Sequence, residues 1–251
     1  MLNQLSWKKI INLPERIRER LTMNYQRLRR PKFVTIQGIK VCLGDYMSES
    51  IKDTLYLGKY EQSELQTVKH WLELNDVVME IGAGIGLISS YCAKRIGSDR
   101  VFTYEANPDL KYHIHNNYKL NHVSPTLEIC LIGKNNSEET FYLDKDFWAS
   151  SINPRNSEAK PIKVPVKSFE QELKRINPTF LIIDVEGKEY QLLQQTNFSN
   201  IKKISIEIHP LFIGREKANL LKKQLTEAGF KMNKKFCNQS KDGLEELFFH
   251  R

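Results

Sequence analysis

The chain has 251 residues, 40% of them hydrophobic, and a formal net charge of +8, enough to bury one sizeable core but short for two enzyme-sized domains. Its four cysteines (Cys42, Cys92, Cys130, Cys237) stand far apart with no CxxC pair, which excludes a disulfide scaffold, a zinc ribbon and a thioredoxin-type motif. No apolar run approaches the roughly 18 residues that cross a bilayer, and the start lacks a signal-peptide core, so the expectation is a cytoplasmic chain without an integral membrane span.

The charge is local. Residues 1 to 40 hold ten Lys/Arg against two Glu, so the leader is basic and the rest is neutral. From Pro14 to Arg30, Ile17, Leu21, Tyr25 and Leu28 recur at helical steps among Arg16, Arg18, Arg20, Arg27, Arg29 and Arg30, the pattern of an amphipathic basic helix. The first reading is that the stripe packs on the main domain, as such helices usually bury theirs. The alternatives are peripheral contact with an anionic membrane surface or tracking of nucleic-acid phosphates. This reading gives a basic extension over residues 1–43 and one domain over 44–251.

In the next stretch, residues 58–74, Leu65, Val68 and Leu72 mark a helix that covers a sheet or caps a ligand pocket. Strand-like runs then fall at 77–83, 101–106, 126–132, 179–186, 203–209, 230–236 and 246–251. Helical patterns occupy 87–96, 109–120, 168–176, 188–195 and 216–228. Strands alternating with short helices predict an α/β fold with a mostly parallel, seven-stranded sheet. Residues 140–169 read as extended pieces around a polar loop, an insertion. The turn at 238–243 has no room for a helix, so the last two strands form an antiparallel hairpin. A parallel sheet closed by such a hairpin is what Rossmann-like class I methyltransferases have.

Val77 to Gly86 is an apolar strand running into glycines that open a helix. Glycine there lets a ligand approach the backbone. A dinucleotide fingerprint wants a further glycine at position 87, which is Leu. Glu80 would repel a pyrophosphate and suits an ammonium and a sulfonium, that is, S-adenosylmethionine (SAM). Nineteen residues past Gly86, Glu105 ends the second strand in Tyr104-Glu105-Ala106-Asn107-Pro108. It can accept both ribose hydroxyls, at about 1.5 to 3 kcal/mol per charged hydrogen bond, although the same logic serves NAD. Together Glu80, Gly82, Ala83, Gly84, Gly86, Glu105, Ala106 and Asn107 form the predicted cofactor site, with SAM the favoured ligand.

Two later strands end in alternating polar residues, Asp184 with Glu186 and Glu207 with His209. Period two places each pair on one face, at the strand ends where ligands of open α/β sheets bind. An attacking alcohol or amide must lose a proton, so Asp184 or His209 is the candidate base, worth about 10²- to 10⁴-fold. The same group could hold a divalent cation. The competing reading is that Glu207 and His209 cap a strand and Glu186 binds backbone N–H groups of the following turn.

These residues resemble the FkbM family of SAM-dependent methyltransferases. The resemblance runs through Gly58-Lys59-Tyr60-Glu61, the Glu80 to Gly86 loop, the Tyr104 to Pro108 segment, Lys163-Val164-Pro165-Val166, Ile183-Asp184-Val185-Glu186-Gly187-Lys188-Glu189 and Ile206-Glu207-Ile208-His209. It adds Tyr60 and Glu61 to the cofactor site. The chain departs from the family in having Glu80 where Asp is common and Ile182 where Lys is frequent. The resemblance implies methyl transfer to hydroxyls of sugars or natural products, or in some members to peptide side-chain amides. It leaves the acceptor open.

In the insertion, Phe147-Trp148-Ala149-Ser150-Ser151 sets aromatics and hydroxyls where a lid would lie. Trp148 would stack on a sugar ring and Ser150 and Ser151 would orient hydroxyls. An ordinary anchored surface loop is the alternative. The leading expectation is therefore O-methylation of a sugar, glycan or glycosylated natural product, with N-methylation of a peptide Asn second. A third reading is a non-catalytic module that binds a membrane surface or nucleic acid. Against nucleic-acid methylation, the chain has no Asn/Asp-Pro-Pro-Tyr/Phe motif and no Pro-Cys pair.

Overall fold

A computed structural model describes residues 13–154, 156–194, 196–240 and 243–251. The chain divides into two units, Met1–Tyr60 and Glu61–Arg251, a boundary later than residue 43. No helix among the described residues is long and apolar enough to cross a membrane.

The first unit begins with helix α1 (Glu15–Arg29), followed by the antiparallel strands β1 (Phe33–Ile36) and β2 (Ile39–Cys42) and by helix α2 (Glu49–Tyr56). The hairpin turns on Gln37 and Gly38, both at positive φ, as a tight two-residue turn requires. Ser48 caps α2 by accepting the Ile51 N–H at 3.3 Å. Helix α1 is held by its polar residues: the Arg27 guanidinium donates to Asp53, and Lys59 Nζ lies 2.5 Å from Glu19. No residue of α1 is buried. Ile17, Leu21 and Leu28 are 47%, 42% and 86% exposed, and only Tyr25 of the predicted stripe is partly covered. Within the first unit, the side of α1 turned inward carries Glu19, Thr22, Met23 and Gln26 rather than this stripe.

The second unit opens with α3 (Gln62–Trp71), then β3 (Val78–Ile81), α4 (Leu87–Ile96), β4 (Val101–Glu105), α5 (Lys111–Asn121), β5 (Thr126–Ile129), β6 (Leu131–Gly133) and β7 (Ser137–Leu143). It continues with β8 (Lys160–Ser168), α6 (Phe169–Ile176), β9 (Phe180–Ile183), α7 (Glu189–Leu193), β10 (Lys203–Ile208), α8 (Pro210–Ile213), α9 (Arg215–Glu227), β11 (Lys231–Met232), β12 (Asn238–Gln239) and β13 (Glu245–His250). The main sheet runs β11-β13-β10-β9-β3-β4-β5, with β12 also on β13. Strands β10, β9, β3, β4 and β5 are parallel, and β13 is antiparallel to β10 and β11. Every residue of β3 and β9 is buried, as expected of central strands covered on both faces.

Two strands differ from their sequence patterns. The run 126–132 breaks at Cys130, whose N–H donates to the Glu105 carbonyl. Its second half, β6, then joins the insertion in a separate sheet of order β6-β8-β7. The run 230–236 keeps only two strand residues, because the Asn233 side chain accepts the Lys235 N–H and winds Lys234–Phe236 into a 3₁₀ turn.

Candidate active site

The sheet order reverses at β3, which has β9 on one side and β4 on the other, and ligands of open α/β sheets bind outside the strand ends at such a point. There the chain turns through Gly82, Gly84 and Gly86, all at positive φ. A Cβ on Gly82 would lie 2.0 Å from the Asp184 carbonyl oxygen, and one on Gly86 would lie 2.9 Å from Ile114 and 3.0 Å from Tyr118. These two glycines therefore serve first to let the chain pack on itself. Gly82 is nonetheless exposed and Gly84 half-buried, so the loop still offers backbone to a ligand.

The acid that ends β4 braces this loop. Glu105 accepts the Gly84 N–H at 2.9 Å through Oε2 and the Asn107 N–H at 2.8 Å through Oε1. Burial pushes its pKa up to about 7 against these backbone bonds. Asn107 turns its side chain to the Asp109 N–H. Glu80 is also inward: Oε1 accepts the Ser89 N–H at 3.1 Å, and the Thr103 hydroxyl donates to Oε2. It is 2% exposed, and burial raises its pKa to about 7. Glu80 thus ties β3 to the start of α4 and to β4. Ala83 is buried and Ala106 half-buried. Tyr60 is buried at the end of the first unit, and Glu61 precedes α3 in a left-handed conformation.

Beyond Ile183, β9 passes into a turn rather than extending to residue 186. The Asp184 N–H still donates to the Ile81 carbonyl at 2.8 Å, and Glu186 takes a left-handed φ of 49°, costly for a non-glycine residue. The four predicted residues nevertheless converge. His209 Nε2 lies 3.0 Å from Glu186 and 3.2 Å from Glu207, and Nδ1 lies 2.6 Å from Glu189. Asp184, Glu207 and His209 each offer an atom within 4.8 Å of the others. Asp184 Oδ1 is buried without a hydrogen-bond partner among the described residues.

Electrostatics separates the members of this cluster. Burial opposes charge on His209, but its hydrogen bonds to Glu186, Glu189 and Glu207 outweigh that and push its pKa up to about 12. Burial and the negative charges of Glu207 and Glu186 hold the Asp184 carboxyl well above the usual range. Glu64, on α3, is raised by burial and by Glu61, Asp184, Glu80 and Glu207, which places it in the same field.

Ser150 and Ser151 are both buried. Ser150 Oγ accepts the Asp144 N–H at 2.9 Å, and Ser151 Oγ donates to the Asn153 carbonyl at 2.5 Å. Both stabilise their own loop, and Trp148 beside them is half-buried. Sequence reasoning overlooked Glu64, Glu189 and Phe212. Glu189 is wholly buried, accepts the Gly187 N–H and orients His209. Its signal was the third acid of Asp-Val-Glu-Gly-Lys-Glu. Glu64 flanks the Leu65, Val68 stripe, and Phe212, 41% exposed, sets its ring 5.9 Å from that of His209.

Read from β5 to β11, the sheet has the strand order of a class I methyltransferase. The acceptor-rich chemistry of the site, carboxylates around a glycine turn, fits a ligand carrying an ammonium, a sulfonium and a ribose. The sequence profile of the methyltransferase FkbM domain matches residues 80–232. The chain belongs to the FkbM family and is a SAM-dependent methyltransferase. No curated protein sequence matches it. Among solved structures, it is similar to the Pyrococcus abyssi tRNA (uracil-54, C5)-methyltransferase in complex with S-adenosyl-L-homocysteine, at 10% identity and a TM-score of 0.50, over 87% of this chain and 44% of that one. It is also similar to precorrin-6y C5,15-methyltransferase of Geobacter metallireducens, at 15% identity and a TM-score of 0.44, over 77% of this chain and 88% of that one. A Pyrococcus furiosus methyltransferase aligns over 92% and 96% of the two chains at 11% identity and a TM-score of 0.44.

Proposed function

We propose that the chain methylates a hydroxyl of a neutral sugar, glycan or glycosylated natural product. The observation that carries this reading is the acceptor-rich character of the strand ends. The Glu186 and Glu207 carboxylates accept hydrogen bonds, and both nitrogens of His209 beside them are engaged by carboxylates. A polyol presents hydroxyl donors to such a surface. An amide brings a carbonyl that needs a donor, and a phosphate would be repelled. The exposed Phe212 ring adds a face on which a sugar can stack.

Bound SAM supplies an electrophilic methyl group. Glu105, Ala106, Asn107 and the backbone of Gly82 to Gly86 would hold it, while Glu80 keeps the loop in shape from behind. Asp184 accepts the proton of the attacking hydroxyl through its unpartnered Oδ1, and Glu186 and Glu207 hold neighbouring hydroxyls. Of the two bases left open by the sequence, the geometry favours Asp184, since His209 has no free ring nitrogen. Incubation with methyl-labelled SAM and parallel panels of neutral oligosaccharides and Asn-containing peptides tests this. Label on a sugar fragment by mass spectrometry is expected, and label confined to peptides would overturn it.

The spacing of Asp184, Glu207 and His209 also suits a divalent cation, which would orient the same hydroxyls. Loss of turnover in chelator and its return with added magnesium or manganese would establish that role. Full turnover in chelator would remove it.

A further inference from the structure

The aliphatic stripe of α1 faces away from the residues that hold the helix. At about 100° per residue, Ile17, Leu21 and Leu28 fall within about 40° of arc. Asn24 lies just beside them, and the half-buried Glu19, Thr22 and Gln26 lie on the opposite side. Arg16 and Arg20 border the stripe on one flank, Arg18 and Arg29 on the other. Arg27 and Glu19 are spent on Asp53 and Lys59, whereas Arg16, Arg18, Arg20, Arg29 and Arg30 make no ion pair among the described residues. Helices with an exposed aliphatic strip bordered by cations lie in the interface plane of bilayers, the strip at the acyl boundary and the cations on headgroup phosphates.

We propose that α1 is a docking surface for an anionic lipid bilayer. Charge complementarity selects the occupant: the chain's whole excess of +8 lies in residues 1 to 40, Arg16, Arg18, Arg20 and Arg29 border the strip, and the remainder of the sequence is neutral. Nucleic acid would pair with the arginines but has no use for three exposed aliphatics between them. A second copy of the chain would bring the same arginines against these.

Co-flotation of the full chain with vesicles tests the assignment. Vesicles of phosphatidylcholine with about one-third phosphatidylglycerol should bind it at least tenfold better than pure phosphatidylcholine, with partial loss in high salt. Serine at Ile17, Leu21 and Leu28 together should weaken binding at least tenfold while the arginines remain. Glutamine at Arg16, Arg18 and Arg20 should weaken it and remove the salt dependence. Circular dichroism confirms that each variant is folded. No binding to anionic vesicles would overturn the proposal. So would binding indifferent to the serine substitutions, tighter binding to RNA than to vesicles, or a wild-type dimer that the serine variant abolishes.

Discussion

Asp184 and Gly82 constrain one another, and the pair shows how a side chain acquires a role from a neighbour's lack of one. The Asp184 carbonyl occupies the space a Gly82 Cβ would need, at 2.0 Å, so Gly82→Ala must push β3 and β9 apart at their reactive ends. Added to the cost of its positive φ, this should lower stability by at least about 1 to 3 kcal/mol, measurable by urea unfolding. Asp184→Asn keeps the backbone contact and removes only charge and basicity. Its turnover should fall by at least about 10²-fold, while calorimetry finds SAM affinity within a few-fold of the wild type. Unchanged turnover would dismiss Asp184 as the base.

Elements were legible where pattern alone decides them. Alternation of strands and helices, the helix over Leu65 and Val68, and the closing antiparallel strand follow from hydrophobic period and turn length, and all are present. What the pattern did not contain is the choice of hydrogen-bond partner. Beyond Cys130, β6 takes β8 as its partner in place of β4, and Asn233 turns its side chain on the backbone and ends β11 early. Glu189 escaped notice for a related reason: its position was visible, but its wholly buried bond to His209 depends on how α7 packs. The loop serines show the converse, since hydroxyls that look available in sequence are buried and bonded within the loop. Ser151→Ala should open residues 147–154 to limited proteolysis and leave the affinity for SAM unchanged.

Across the molecule, the unusual charges are the inward carboxylates. Glu80 and Glu105 each have a pKa of about 7, above the ordinary value of an unfolded Glu, about 4.3. Raised folded values mean that their contribution to stability is fully present below about pH 4.3 and is lost as pH rises through about 7. Glu80→Gln keeps an acceptor for the Ser89 N–H, so it should flatten the fall in stability between about pH 5 and 7 in thermal unfolding. An unchanged profile would mean that Glu80 is already ionised in the fold. The Glu105 carboxyl, braced against the glycine turn, has a further consequence. A cationic ligand settling beside it favours the ionised form, so near neutral pH association should expel protons into solution. The heat of binding would then vary with the ionisation enthalpy of the buffer, and affinity would rise from pH 6 to 8. Identical heats in phosphate and Tris would show instead that Glu105 meets its ligand already bare of its proton.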